Sequence, residues 1–464
     1  MRSSTRVLVI GGGPAGSTAA TLIARQGFQV TLLEAATFPR YHIGESILPS
    51  ALPVLDVLGV REKVERHGFV RKGGAYFEWG PENWDLDFDH LAGPDGYSFQ
   101  VIRSEFDQLL LDHARTQGVD VHEGIGVREL TFEGERPVAA RWSRTADRDD
   151  GGTIGFDFLV DCSGRAGVMA TKYLRNRRYN EVFKNIATWS YWRNVTPPGK
   201  GPEGAIVVAS IPDGWFWAIP LHDGTWSVGL VAKADRFAEA RERLGGPEGV
   251  YADAIARCPR IAGMLAGAER VADLRAEQDY SYVCERFAGP GFVMAGDAAC
   301  FLDPLLSTGV HLATFSGMLA GASVGSVLRA EFDEREALAF YSQAYRQAYE
   351  RLLILVSFFY RSFSRESQFF EARKLTRRER HMLRLYESFL YVVSGVEDVE
   401  DAKDSALDAV AARLRQSGQA LAGENEAMAT MPTSEADAVG GVYLTFEPRL
   451  GLRRRSGAEE PVRA

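Results

Sequence analysis

The feature that most restricts what this chain can fold into is a glycine-rich turn near its start. Arg6 to Ile10 is a short apolar, β-branched run, and Gly11-Gly-Gly-Pro-Ala-Gly16 follows it directly. Ser17 to Gln26 is alanine-rich and helical, Gly27 ends it, and Phe28 to Leu33 reads as a second strand closed by Glu34. In the G-x-G-x-x-G pattern, Gly11 permits the tight turn, Gly13 lets backbone approach a pyrophosphate, and Gly16 lets helix and strand pack closely. The helix N-terminus offers unpaired N–H groups and the positive end of its dipole to phosphates. Glu34 falls about 20 residues on, where an acidic side chain accepts ribose hydroxyls. The order of strand, turn, helix, strand and acid specifies an α/β fold with a Rossmann-type dinucleotide-binding domain. A nicotinamide cofactor satisfies this segment as well as a flavin does.

The rest of the chain sets the frame. Its 464 residues suffice for two or three domains and for a core enclosing a bulky cofactor. A net charge of −9 argues against nucleic-acid binding. The four cysteines form no C-x-x-C pair and no histidine cluster has metal spacing, so neither a metal site nor a disulfide is expected, and a cytoplasmic setting follows. The segment before the first strand lacks a signal-peptide pattern. Leu305–Leu328 carries no Asp, Glu, Lys or Arg and approaches the roughly 20 residues of a membrane helix. Its serines, threonines, glycines and His311 suit a buried helix packed against backbone or cofactor, and no stable membrane insertion is expected.

Residues 1–335 are expected to form the Rossmann-type dinucleotide-binding domain, with sheet segments of a substrate domain interleaved at about 75–100 and 180–280. Trp, Val, Ile and Thr crowd residues 185–232 without intervening helices, which predicts antiparallel strands. Ser104–Gln117 carries a helical apolar stripe. Residues 336–415 read as helical, and 416–464 as a tail, disordered in part.

Two later segments favour FAD. Phe158-Leu-Val-Asp-Cys-Ser-Gly-Arg165 is a strand entering a polar turn, and Gly296-Asp297-Ala298-Ala299 follows another strand and opens a helix. Asp297 there suits ribityl hydroxyls or the N–H groups of a helix start. With Arg103 in Val101-Ile-Arg-Ser-Glu-Phe-Asp107, these segments resemble the FAD superfamily of aromatic hydroxylases, geranylgeranyl reductases and flavin-dependent halogenases.

Within that superfamily the chain resembles the halogenases. Trp215-Phe-Trp-Ala-Ile-Pro220 matches their W-x-W-x-I-P signature at every specified position. Phe38-Pro-Arg-Tyr-His-Ile-Gly-Glu-Ser46 is similar to the segment they carry after the second strand, and Lys72 occupies the place of their catalytic lysine. The resemblance spans roughly residues 5 to 400. It implies that Gly11, Gly13, Pro14, Ala15, Gly16, Glu34, Ala35, Arg40, Ser46, Arg103, Asp297 and Gly309 hold FAD. It further implies that Thr308 and Gly309 bind chloride or bromide, and that Trp215, Trp217 and Pro220 bar substrate from the flavin. Reduced FAD, oxygen and halide would then yield hypohalous acid, which Lys72 receives by hydrogen bond or as a haloamine. A lysine removed from water has a lowered pKa and becomes both donor and nucleophile.

Tryptophan halogenases carry a glutamate just before Ser-Thr-Gly, and this chain has Leu306. The resemblance is therefore to the group acting on phenols and pyrroles, free or tethered to a carrier protein. With no second nucleotide-binding motif visible, a separate flavin reductase is implied. Arg373, Lys374, Arg377, Arg378, Arg380 and Arg384 form a basic run on an acidic chain. It reads as a solvated helix face first and a dock for an acidic carrier second. The alternative reading is a flavin-dependent reductase or hydroxylase of the same fold, like geranylgeranyl reductases, with the aromatic Phe358-Phe-Tyr and Phe369-Phe370 facing an apolar substrate. It leaves W-x-W-x-I-P and Lys72 unexplained.

Overall fold

The computed structural model describes residues 1–80, 82–91, 96–364 and 431–456. The first strand, Ser4–Ile10, lies between Val30–Glu34 and Gly151–Asp161, parallel to both. Asp120–Glu123 and Phe292–Met294 extend the parallel sheet at its two sides. Such strands are covered on both faces, and the apolar runs Val7–Ile10, Leu32–Leu33 and Phe158–Val160 are all buried. The helix Pro14–Ala24 starts at the glycine turn and ends before Gly27, two residues short of the sequence reading. The predicted helix at 104–117 is Arg103–Thr116.

A second, nine-stranded sheet carries the substrate-side segments. Arg177–Arg193, Trp226–Lys233, Gly214–Pro220 and Ile206–Ile211 run antiparallel in that spatial order. Ile206–Ile211 then pairs in parallel with Gly74–Trp79, which joins the two stretches of sheet expected at about 75–100 and 180–280. Val70–Lys72 instead pairs with Ser98–Gln100 in a separate two-stranded sheet, with Lys72 opposite Ser98.

The uncharged segment forms the helix Gly309–Leu328, 20 residues long and apolar enough to cross a membrane, but 89% of its most apolar window lies buried within the protein. Its glycines explain the burial. A Cβ at Gly317 would stand 2.6 Å from the carbonyl oxygen of Ala15, one at Gly321 2.8 Å from Leu22 Cβ, and one at Gly325 1.9 Å from Gln26 Oε1. Spaced by four, the three glycines form one face that lets this helix lie directly on Pro14–Ala24.

The sequence reading requires two corrections. Gly296-Asp297-Ala298 does not run into the long helix. It forms a single 3-10 turn, and a short strand at Cys300–Phe301 and a second 3-10 turn at Pro304–Leu306 intervene. Nor is Asp297 a helix cap: that bond is made by Asp303, whose Oδ1 accepts from the N–H of Leu305. Gly296 (φ 59°) allows the chain to turn away from the strand before a helix can begin.

Glu334–Ser364 is helical, as expected of the start of the C-terminal region. Phe369-Phe370 and the basic run Arg373–Arg384 lie outside the described residues. Within the tail, Val442–Thr445 and Gly451–Arg454 form a hairpin. It docks on the long helix: the N–H of Leu452 donates to Ser326 Oγ at 3.0 Å, and Arg454 makes paired bonds of 2.8 and 2.7 Å to Glu336.

Candidate active site

One cavity of about 610 Å³ connects the glycine turn to the start of the long helix. Its wall includes Gly11, Gly13, Pro14, Ala15, Glu34, Ala35 and Arg40 at one end and Thr308 and Gly309 at the other. Ser46, Arg103, Asp297, Trp215 and Trp217 also line it. Gly16 does not reach the cavity. A Cβ there would stand 1.9 Å from Gly11 O, so its part is helix–strand packing.

The shape of this wall fits a dinucleotide. A Cβ at Gly11 would sit 2.2 Å from Cys162 O, so only glycine allows the close turn. No side chain caps the helix at Gly13, which leaves its first-turn N–H groups for a phosphate. Arg40 reaches to 3.2 Å of where a Gly13 Cβ would be, and brings a positive charge to that turn. Glu34 accepts from the N–H groups of Gly12 (2.6 Å) and Ala36 (2.7 Å), which fixes its carboxylate at the end of the strand. Buried Arg103 is held by Asp107 Oδ1 and Oδ2 at 2.8 and 3.1 Å and by Ile43 O at 2.8 Å. Asp297 faces the cavity with no side-chain hydrogen bond to the described residues, and burial pushes its carboxyl up to about 6. An unpartnered acceptor beside this wall suits the hydroxyls of a ribityl chain.

The far end of the cavity opens onto the start of the long helix. Thr308 is the first residue before the long helix, its hydroxyl is fully buried without a partner, and the backbone enters through Ser307 in the left-handed region (φ 59°). A Cβ at Gly309 would meet nothing within 4 Å, so there is room beside its backbone. Asp303 anchors this turn to the second sheet: Asn185 Nδ2 donates to its Oδ2 at 2.9 Å, and its N–H donates to Ser281 Oγ at 3.0 Å.

The cavity wall nearest the second sheet is aromatic. Trp215 and Trp217 lie with ring centroids 6.1 Å apart, and Trp189 sits 6.3 Å from Trp217 as a third indole that sequence patterning missed. Gly229, on the neighbouring strand, makes room for this wall: a Cβ there would stand 2.1 Å from the Trp217 ring. Pro220 closes the strand outside the cavity, and Ile219 lines it instead.

Lys72 lies just outside the cavity, next to Ser46. It is 2% exposed, and its Nζ donates to Ser46 Oγ at 2.8 Å and Ile47 O at 3.3 Å. Lys72 itself does not line the cavity, whereas Ser46 does, so the amine stands one side chain away from it. Burial lowers the amine to about 7. Sequence reading also missed Glu45, which lines the cavity, accepts from Tyr191 OH at 2.7 Å, and is pushed up to about 7 by burial. Its signal was present in the Gly-Glu-Ser run beside Ser46, but its partner Tyr191 is remote in sequence. Buried Leu306 occupies the position before Ser-Thr-Gly.

A family model described as "Tryptophan halogenase" matches residues 6–95 and 90–406. The tryptophan 2-halogenase of Chondromyces crocatus is 44% identical, with 98% of this chain and 94% of that protein covered. The sulochrin halogenase gedL of Aspergillus terreus is 42% identical, over 76% of this chain and 69% of its own. Among solved structures, the myxobacterial chondrochloren halogenase CndH, described as a variant of FAD-dependent halogenases, superposes with a TM-score of 0.73. It is 32% identical, with 92% of this chain and 99% of that one covered. The flavin-dependent halogenase CmlS superposes with a TM-score of 0.75 at 31% identity, covering 98% and 85% respectively.

Proposed function

This chain belongs to the flavin-dependent halogenases, which use FAD and halide, and from that premise we propose that it halogenates an electron-rich aromatic ring through Lys72. When bound, reduced FAD supplies the oxidising chemistry, with oxygen, that converts halide to hypohalous acid. The protein's part is positioning and exclusion. Thr308 and Gly309 hold the halide, with the unpartnered Thr308 hydroxyl and first-turn N–H groups as donors. Trp189, Trp215 and Trp217 keep the ring away from the flavin. Hypohalous acid that passes Ser46 reaches Lys72, whose amine burial lowers to about 7. The neutral amine attacks the halogen, the halogen–oxygen bond breaks, and the released hydroxide leaves as water with the amine proton, giving a haloamine. The ammonium form instead holds the acid by hydrogen bond. The single observation that carries this reading is the buried Lys72 amine bonded to a side chain of the cavity wall.

The substrate follows from Leu306. With no carboxylate there to draw off a ring proton, the ring must be reactive by itself, which favours phenols and pyrroles. The relative named for halogenation at position 2 of tryptophan fits the same chemistry, because carbon 2 lies in the electron-rich pyrrole half of an indole. Leu306 therefore argues against attack on the benzenoid carbons of indole, not against indole as such. A separate reductase supplies reduced FAD, and the ring is offered either free or on an acidic carrier, for which the basic run at Arg373–Arg384 is a dock second to its reading as a solvated face.

The test offers phenolic, pyrrolic and indolic acids, free and carrier-bound, with FAD, a flavin reductase, oxygen and bromide, and reads the bromine isotope pattern by mass spectrometry. Lys72→Ala should lose product while FAD binding and hydrogen peroxide release persist. A variant that keeps most of its product would remove Lys72 from the mechanism.

A further inference from the structure

On the surface outside the cavity, three residues far apart in sequence converge. His67 ends the helix Arg61–His67, Glu105 lies in the first turn of Arg103–Thr116, and His222 follows the strand Gly214–Pro220. His67 Nε2 lies 2.6 Å from Glu105 Oε2, and His222 Nε2 lies 3.2 Å from the same oxygen. One ligand atom from each of the three lies within 4.8 Å of the others.

We propose that His67, Glu105 and His222 bind a divalent transition-metal ion of the zinc class. Two imidazoles and a carboxylate form a borderline donor set, matched to zinc and its neighbours rather than to magnesium or calcium. At bond lengths of about 2.0–2.1 Å, tetrahedral ligands stand about 3.3 Å apart. The His222–Glu105 separation of 3.2 Å already matches this, and the His67–Glu105 pair at 2.6 Å must open to admit the ion. The imidazoles are already oriented. Phe69 stacks on the His67 ring at 4.3 Å and meets the His222 ring edge-on at 5.2 Å, so a buried phenyl ring braces both ligands. Side-chain exposures of 32%, 38% and 21% for His67, Glu105 and His222 leave an approach for the ion and for water in the remaining position. His222 Nδ1 is buried and has no hydrogen-bond partner. Lacking the outer acceptor that usually supports a metal-bound imidazole, the site is expected to bind in the micromolar rather than nanomolar range.

The ion would join three elements that also serve the active site. The helix ending at His67 leads into Val70–Lys72, Glu105 is two residues from Arg103, and His222 is two from Pro220. Its predicted effect is to clamp them and raise thermal stability. Cobalt(II) alone is the probe. Wild-type protein should develop a visible d–d absorption band that zinc displaces, without a thiolate charge-transfer band, since all four cysteines are buried. The His67→Ala/His222→Ala protein should bind cobalt about tenfold or more weakly and lose the zinc-dependent rise in Tm. It should keep its circular dichroism and its halogenation, because neither histidine lines the cavity. Equal cobalt affinity in the two proteins, or an equal zinc-dependent rise in Tm, would overturn the proposal.

Discussion

At the scale of single residues, burial converts an ordinary side chain into a reagent. Lys72 sits among Ser46, Ile47 O and the Phe88 ring, and among the described residues no carboxylate is bonded to it to hold its charge. Desolvation therefore disfavours the ammonium form and brings the amine to about 7. Above that value the lone pair is free to accept halogen; below it the amine is protonated and can only donate. With reduced FAD supplied in single turnover, product yield should fall as pH drops through about 7, and hydrogen peroxide should rise in its place. Glu45, raised to a similar value, would add a limb in the same window. The Glu45→Gln variant separates the two, and should retain the acidic limb. A yield that stays flat from about pH 6 to pH 8.5 would rule out the neutral amine as the acceptor. Lys72 was legible from its place in the family pattern and from the glycines that follow it. The role of Ser46 as the link between amine and cavity was not, because that contact spans 26 residues and depends on how two loops pack.

Among the elements, the strand Gly214–Pro220 shows how a sequence motif depends on its neighbour. Its two indoles were readable from the resemblance to the halogenase signature, but the space for Trp217 comes from Gly229 across the strand pair, in register with it. A methyl group at Gly229 would drive the ring toward the cavity, since Trp217 is also held by its Nε1–H donating to Ser227 Oγ at 3.1 Å. Gly229→Ala should cost about 1–3 kcal/mol of stability through overpacking. It should weaken FAD binding, measured by flavin fluorescence, more than it perturbs the secondary structure. Unchanged FAD affinity with an unchanged Tm would show that the wall has slack.

Across the whole molecule, the tail is a structural part rather than an appendage. Val442, Leu444, Leu450 and Leu452 are buried against the body of the protein, and the hairpin bonds to the helix whose first residues line one end of the cavity. Truncation after residue 430 should lower Tm by roughly 3–5 °C, the shift expected for about 3–5 kcal/mol in a protein of this size. A differential scanning measurement that finds the truncated protein as stable as the full chain would refute this. The sequence alone determined the dinucleotide-binding unit, the family and part of the cavity wall. Those features are local: a glycine turn, an alanine-rich helix and an apolar strand each impose their geometry over a few residues. Tertiary structure alone decided the interposition of Ser46 between Lys72 and the cavity, the pairing of Glu45 with Tyr191, the third indole at Trp189, the convergence of His67, Glu105 and His222, and the docking of the tail. Each joins positions tens to hundreds of residues apart, and such contacts are set by how finished elements pack, which no local pattern encodes.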